Sequence, residues 1–304
     1  MNILCATDLL PKSESAIDRA GILADQLGAD LSLLHVVPPT ESREMAEQDL
    51  QRAKEKLKAR VTRPLWRFGP PPSVLIRQGS PKRELIETLR DTKPDLIVLG
   101  RHRPRLFRDS LAGTIAAEVL GERKCPVLVV DSIALGAYRN IVLALDRTHA
   151  SAEAVRVAEA TVLNDGLRAV VVHAYPPAYD GMLIGAGITG EVLPGNPQDS
   201  RSTANVVLRA LLTGVTHDVS RYGLIIEHAT PTAAIRKVVS RLNPDLLVLG
   251  TRGRGRLKRA LLGSVANRVV ARVHCDVLVV PDPVSVTARR ERIDHRSLDV
   301  VTGG

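Results

Sequence analysis

Aromatic residues are scarce here: one Trp, four Tyr and two Phe among 304 residues. Surfaces that bind RNA or single strands stack bases on such rings, so nucleic acid is a poor fit as a partner. The cores must be filled by Val, Leu, Ile and Ala, which suits buried parallel strands that read as continuous aliphatic runs. Cysteine is equally sparse. Cys5, Cys125 and Cys275 lie in or beside aliphatic runs without CxxC or metal spacing, and are expected buried and reduced. No apolar run approaches the roughly 20 residues of a membrane helix. Met1-Asn2-Ile3-Leu4 leads into a strand, not a leader peptide. The expectation is a cytoplasmic protein with no membrane partner.

The net charge is +9. It suits anionic partners in general and equally a solvated basic surface, so charge alone decides nothing. Repetition is more informative. Pro94-Asp95-Leu96-Ile97-Val98-Leu99-Gly100 returns as Pro244-Asp245-Leu246-Leu247-Val248-Leu249-Gly250, and Cys125-Pro126-Val127-Leu128 as Cys275-Asp276-Val277-Leu278, both 150 positions on. Asn2-Ile3-Leu4-Cys5-Ala6-Thr7-Asp8 returns as Asn140-Ile141-Val142-Leu143-Ala144-Leu145-Asp146, 138 positions on, so the second copy carries 12 extra residues between His173 and Leu224. A period this long means domain duplication and not a solenoid.

Each copy reads strand, helix, strand, helix, strand, helix, strand, helix, strand, with first-copy strands near 2–7, 31–37, 73–78, 95–99 and 126–130. Aliphatic strands alternating with helices form right-handed crossovers in a parallel sheet covered on both faces. The expected fold is α/β: two repeated open five-stranded parallel-sheet sandwiches of Rossmann-like type. The expected domains are 1–131 and 139–282, with 283–304 as a disordered tail.

In such sheets ligands bind beyond the carboxyl ends of the strands. After Val248-Leu249 the chain runs Gly250-Thr251-Arg252-Gly253, nine residues, then Gly263-Ser264-Val265. Gly250 and Gly253 would let a turn bring backbone N–H groups against a bulky anion. Gly263 and Ser264 fall where a helix should begin, with its N–H row and dipole favouring phosphate. Arg252, Arg254 and Arg256 add positive charge. A glycine-rich loop and a capped helix without any ligand would give the same pattern.

These residues resemble the universal stress protein family, over 1–282, as two domains in tandem. The family's ATP-binding signature, Gly-x2-Gly-x9-Gly-(Ser/Thr), is matched by Gly250, Gly253, Gly263 and Ser264; Asp146, His173-Ala174 and the terminal strand Val277-Leu278-Val279-Val280-Pro281 also match. The resemblance implies that Gly250, Gly253, Gly263, Ser264 and Val265 hold the phosphates through backbone N–H groups. It implies that Asp146 accepts from the ribose hydroxyls and that the backbone of Ala174 meets the adenine edge. Asp146 also has an alternative use as a helix N-cap. The implied ligand is ATP, or ADP or AMP, with or without Mg2+.

The first copy departs from the pattern. It reads Gly100-Arg101-His102-Arg103, nine residues, then Gly113-Thr114, so Arg103 stands where the second glycine belongs and Pro104 stiffens the turn. Asp8, Val36, Gly100, Gly113 and Thr114 remain as a weaker second site. One nucleotide per chain, in the second half, is expected.

Gly185-Ala186-Gly187-Ile188-Thr189-Gly190 spells a dinucleotide fingerprint, but the following Glu191-Val192-Leu193-Pro194-Gly195-Asn196-Pro197 does not open a helix as that motif requires. Residues 176–205 are read as a mobile loop over the mouth of the site. His35 and His173 end equivalent strands and are expected to be structural. His102, His149, His228 and His274 show no metal spacing. Asp245 starts the fourth strand, at the wrong end of the sheet to pair with Asp146. No catalytic residue and no metal site is assigned.

The leading functional expectation is an ATP-binding stress-response or signalling protein in which the nucleotide shapes conformation, since no general base or P-loop lysine is placed. The alternatives are a slow ATPase or an adenine nucleotide α-hydrolase relative, and a nucleotide-free interaction module. The resemblance also suggests that strands 126–130 and 277–281 pair within the chain as a built-in pseudo-dimer, with a homodimer of such chains as a further step.

Overall fold

The computed structural model describes residues 1–62, 66–101, 115–122, 125–163, 166–175, 197–251 and 264–282. The first domain contains β1 (Asn2–Thr7), α1 (Pro11–Leu27), β2 (Asp30–Val37), α2 (Arg43–Val61), β3 (Ser73–Gln78), α3 (Pro81–Thr92), β4 (Leu96–Gly100), α4 (Ile115–Glu122) and β5 (Val127–Val130). The second repeats the order with β6 (Ile141–Ala144), α5 (His149–Thr161), β7 (Ala169–Tyr175), α6 (Pro197–Thr213), β8 (Tyr222–His228), α7 (Pro231–Leu242), β9 (Leu246–Thr251), α8 (Ser264–Arg272) and β10 (Asp276–Pro281). The alternation read from the sequence is thus present in both halves.

Local chemistry sets several boundaries. Helices α1, α3, α6 and α7 begin at Pro11, Pro81, Pro197 and Pro231, where a fixed φ suits the first helical residue and the missing N–H is no loss. This corrects the loop expected over 176–205: residues 197–205 are the first turns of α6, because Pro197 is a start signal rather than a break. The remaining 176–196, including the glycine fingerprint at 185–190, lie outside the described residues. So does the tail 283–304. Helix α1 stops at Gly28, whose left-handed φ of 57° lets its N–H reach the carbonyls of Ala24 and Asp25.

The ten strands among the described residues form one sheet in the order β3-β2-β1-β4-β5-β10-β9-β6-β7-β8. Every neighbouring pair is parallel except β5 and β10, which run antiparallel with Leu128 opposite Leu278. The two half-sheets therefore fuse through their last strands, as the family resemblance implied, and neither last strand is an edge. Side chains alternate between faces along each strand. Ile3, Val98, Leu128 and Leu278 enter a core covered by α1, α2, α5 and α6. Leu4, Ile97, Val127 and Val277 enter a second core covered by α3, α4, α7 and α8. Each core runs unbroken through both domains.

A buried polar cluster reinforces the junction. The Asp276 carboxylate, at the start of β10, is fully buried. Its Oδ1 accepts from the N–H groups of Asp131 (2.9 Å) and Ser132 (3.0 Å) and the Ser132 hydroxyl (2.7 Å). Its Oδ2 accepts from the Tyr138 hydroxyl (2.7 Å) and faces Arg19 Nε at 3.4 Å. Arg19 lies over the Tyr138 ring at 3.9 Å and donates to the Gly136 carbonyl at 2.5 Å. The linker at 132–138 is thereby pinned to both domains. Burial, and then the Asp276 carboxylate, push the Tyr138 phenol well above its usual range.

Leu278→Ala empties a position in the second domain's last strand and should cost about 2–5 kcal/mol. Because the core is shared, the loss should lower the denaturant midpoint of Trp66 emission, although Trp66 lies in the first domain; an unmoved Trp66 transition would show independent halves. Burial pushes the Cys5 and Cys275 thiols up to about 12 from an ordinary 9.0. The folded state thus holds protons that the unfolded chain releases, so this contribution is intact below pH 9 and is lost as pH rises toward 12. Urea midpoints should fall across that window, and neither thiol should react with an aromatic disulfide reagent at pH 8 until denaturant is added.

Candidate functional site

In the second half-sheet, β10-β9-β6-β7-β8, the connections leave β6 toward β7 and return to β9 on its other flank. The crevice at such a reversal, beyond the carboxyl ends of β6 and β9, is where open α/β sheets bind ligands. Register places the candidate residues around it. Ala144 pairs with Val172 on one side and Leu249 on the other. Asp146 lies two residues beyond Ala144, Ala174 two beyond Val172, and Gly250 one beyond Leu249. Helix α5 covers one face of the sheet here and α8 the other. Half-buried Ala174 and Val265 pack against the same core, the one under α8.

Asp146 is half-buried and held by the first turn of α5. Its Oδ1 accepts from the Thr148 N–H (3.1 Å), the Thr148 hydroxyl and the Ser151 hydroxyl (2.8 Å). Ser151 Oγ in turn accepts from the Asp146 N–H at 2.8 Å. The N-cap of α5 is Thr148, so Asp146 braces the capping turn instead of being the cap. Its carboxylate, an acceptor for hydroxyl donors, is fixed in orientation at the positive end of a helix dipole. The spacing Asp146-x-Thr148-x2-Ser151 was the available sequence signal for this bracket.

Close packing gives Gly250 a requirement of its own, apart from the expected turn. It lies inside β9, opposite Val280. A Cβ there would sit 2.4 Å from the Ala150 carbonyl oxygen and 2.6 Å from its carbon. Glycine therefore lets the first turn of α5, with its Asp146 bracket, settle directly onto β9. Gly253 and Gly263 lie outside the described residues, as does the side chain of Ser264, whose backbone opens α8.

His173 Nδ1 lies 2.8 Å from the Leu145 carbonyl, and His35 Nδ1 2.9 Å from that of Thr7. A carbonyl only accepts, so both rings carry the proton on Nδ1 and serve as strand-end ties. Tyr175 and His228, facing each other at the ends of β7 and β8, stack with centroids 4.8 Å apart, a pairing the sequence did not suggest. Asp245 accepts from the Arg139 and Asn140 N–H groups at the amino end of β6. The length of β9, about 20 Å at ~3.3 Å per residue, separates it from Asp146. Among the described residues no group of three or more His, Cys, Asp or Glu side chains could hold a metal, and no helix is long and apolar enough to cross a membrane.

The first domain keeps the crevice but not the bracket. Asp8 is exposed, and its Oδ1 accepts from the Leu10 N–H at 3.0 Å. Ser13, the counterpart of Ser151, bonds instead to Thr7 Oγ1 (2.8 Å) and the Leu10 carbonyl (2.8 Å). Leu9 takes a left-handed φ of 58°, which is costly for a residue with a Cβ. Val36 is half-buried and Gly100 ends β4. Arg103, Gly113 and Thr114 lie outside the described residues. Arg101 turns away from the crevice into the domain junction, a placement the sequence reading missed. Its signal was a mismatch in the repeat, Arg101 against Thr251.

Gly250→Ala should force α5 off β9. A loss of about 1–3 kcal/mol, the usual cost of overpacking, is expected in urea denaturation, with amide resonances of 146–151 shifted; unchanged resonances there would mean that the close approach does not govern the bracket.

The family model described as the universal stress protein family matches residues 1–131 and again 137–281. The chain is 32% identical over 143 residues to a universal stress protein of Thermus aquaticus, an alignment spanning 47% of this chain and 98% of that one. It is 24% identical over 306 residues to a universal stress protein of Mycolicibacterium smegmatis, spanning 91% and 96%. The crystal structure of a universal stress protein from Archaeoglobus fulgidus shares the fold with a TM-score of 0.66 at 20% identity, spanning 92% of this chain and 96% of that one. With the repeat, the sheet order and two successive matches in agreement, the chain belongs to the universal stress protein family and carries two of its domains in tandem.

Proposed function

We propose that this protein serves a cytoplasmic stress response by binding one adenine nucleotide, ATP or its di- or monophosphate, in its second domain. The observation that carries the reading is the convergence of a fixed carboxylate (Asp146), a small strand-end residue (Ala174) and a helix start (Ser264–Val265) on one sheet reversal. A helix-held carboxylate fits the vicinal hydroxyls of a ribose. The backbone of Ala174, with a side chain too small to block it, fits a purine edge. The N–H groups of Gly253, Gly263, Ser264 and Val265 would meet the phosphates, helped by the dipole of α8. A bound Mg2+ would supply charge neutralisation.

The exposed, unbracketed Asp8 and the Arg103 replacement favour the second domain over the first. The nucleotide acts as a ligand that biases conformation and partner choice. Association of two chains would need a face other than β5 and β10, which pair with each other.

Gentle purification, denaturation and chromatography should release stoichiometric adenine nucleotide from the wild type and none from Gly253→Arg. Added Mg-ATP at 100 times its Kd should stabilise the wild type by about 2.7 kcal/mol. Asp146→Ala, which removes a charged acceptor, should weaken binding by roughly 10- to 100-fold. No released nucleotide and no thermal shift with millimolar Mg-ATP would sink the proposal and favour a nucleotide-free interaction module.

A further inference from the structure

Arg101 follows the last residue of β4, where the first copy's loop begins, yet its side chain is only 2% exposed. Its N–H continues the sheet, donating to the Val130 carbonyl at 2.8 Å. Its guanidinium crosses into the other domain. Nη1 donates to Asp131 Oδ2 at 2.8 Å and to the Val273 carbonyl, and Nη2 donates to the Val270 carbonyl. Val270 lies in the last turn of α8 and Val273 just past its end, with the Val273 N–H closing that turn on the Val269 carbonyl at 3.0 Å. Carbonyls at a helix C-terminus lack intrahelical partners and carry the negative end of the dipole. One planar fork answers both carbonyls and that charge, a geometry a lysine cannot reproduce.

Among the described residues the clamp is not repeated at the equivalent position of the second domain. Thr251, the repeat counterpart of Arg101, donates to the Val280 carbonyl at 3.4 Å, inside its own domain. At this strand end the first domain thus reaches across to hold a helix of the second, whereas the second domain reaches α1 of the first through Asp276 and Arg19. Helix α8 is the one whose other end, at Ser264 and Val265, faces the proposed phosphate position. It spans nine residues, about 13 Å at ~1.5 Å per residue. Its Val269 and Val270 are fully buried, so it shifts as a unit with the core beneath it.

We propose that Arg101 is a positioning residue for the second domain's nucleotide site: the first domain, through Arg101, sets the seat of α8 and thereby the affinity at its far end. This rests on the reading of that site given above. Whatever shifts the Arg101 guanidinium changes nucleotide affinity in the second domain, and nucleotide binding there changes the free energy of the Arg101 contacts by the same amount.

The test compares full-length Arg101→Met, Arg101→Lys and Arg19→Met by amide hydrogen exchange and by ATP titration calorimetry. Arg19→Met breaks the other buried arginine contact of the junction without touching α8, and so controls for general destabilisation. In Arg101→Met, amides of α8 should exchange about 10-fold faster while those of α7 hold, and ATP affinity should fall about 10-fold, within the 5- to 150-fold range of such couplings. Arg101→Lys, which keeps the charge but not the fork, should fall between Met and wild type, and it decides the question if the Met variant does not fold. Arg19→Met should leave ATP affinity unchanged. Unaltered exchange in α8, or an equal loss of affinity in Arg19→Met, would overturn the assignment. A wild type that binds no adenine nucleotide would instead sink the reading of the site, while α8 exchange still reports whether the clamp exists.

Discussion

The antiparallel pairing of β5 with β10 is the constraint on which the molecule depends. Each half ends in a four- to six-residue strand that is almost entirely aliphatic and buried. Left as edges, such strands would template aggregation. Pairing them completes both half-sheets at once and keeps the face alternation in phase, with Leu128 opposite Leu278 and Val129 opposite Val277. The two cores become continuous as a consequence. Asp276 then adds specificity to the junction. A buried carboxylate is tolerable only when fully answered, and its partners come from the β5 end, the linker and α1. The pairing thereby fixes the path of residues 131–138.

Duplication supplied two copies of one crevice, and the copies have been put to different uses. In the second domain the turn after β6 is organised around Asp146, with Thr148 and Ser151 locking the carboxylate, and Gly250 allows α5 to seat beside it. In the first domain the same turn has lost the bracket: Leu10 replaces the capping threonine, Leu9 is strained, and Asp8 is exposed. The loop after β4 has gained an arginine that serves the junction. These changes agree in direction. In the first domain the end of β4 is instead engaged in holding its neighbour through Arg101.

Much of the fold was legible in sequence because its signals are local or periodic. Strand ends were marked to within about one residue, most clearly for the central strands, which are buried on both faces and read as continuous aliphatic runs. The repeat fixed the domain count. Pro197 was misread as loop because proline signals both a break and a helix start, and only the chain beyond it decides which. Gly250 was identified as special, and the structure adds a reason that the spacing did not show. Its spacing with Gly253 suggested a turn, whereas the contact that demands glycine comes from Ala150, a hundred residues away.

The sequence by itself determined the family, the two-domain organisation and the strand ends that carry Asp146, Ala174 and Gly250, because spacing along the chain encodes which strand end a residue occupies. Tertiary structure alone decided what those residues face. Asp276 and Arg101 find their partners only across the junction. In the one-dimensional pattern each of these is an ordinary polar residue beside an aliphatic run. Burial and the direction of approach give them their roles, and both arise only when the two half-sheets pair.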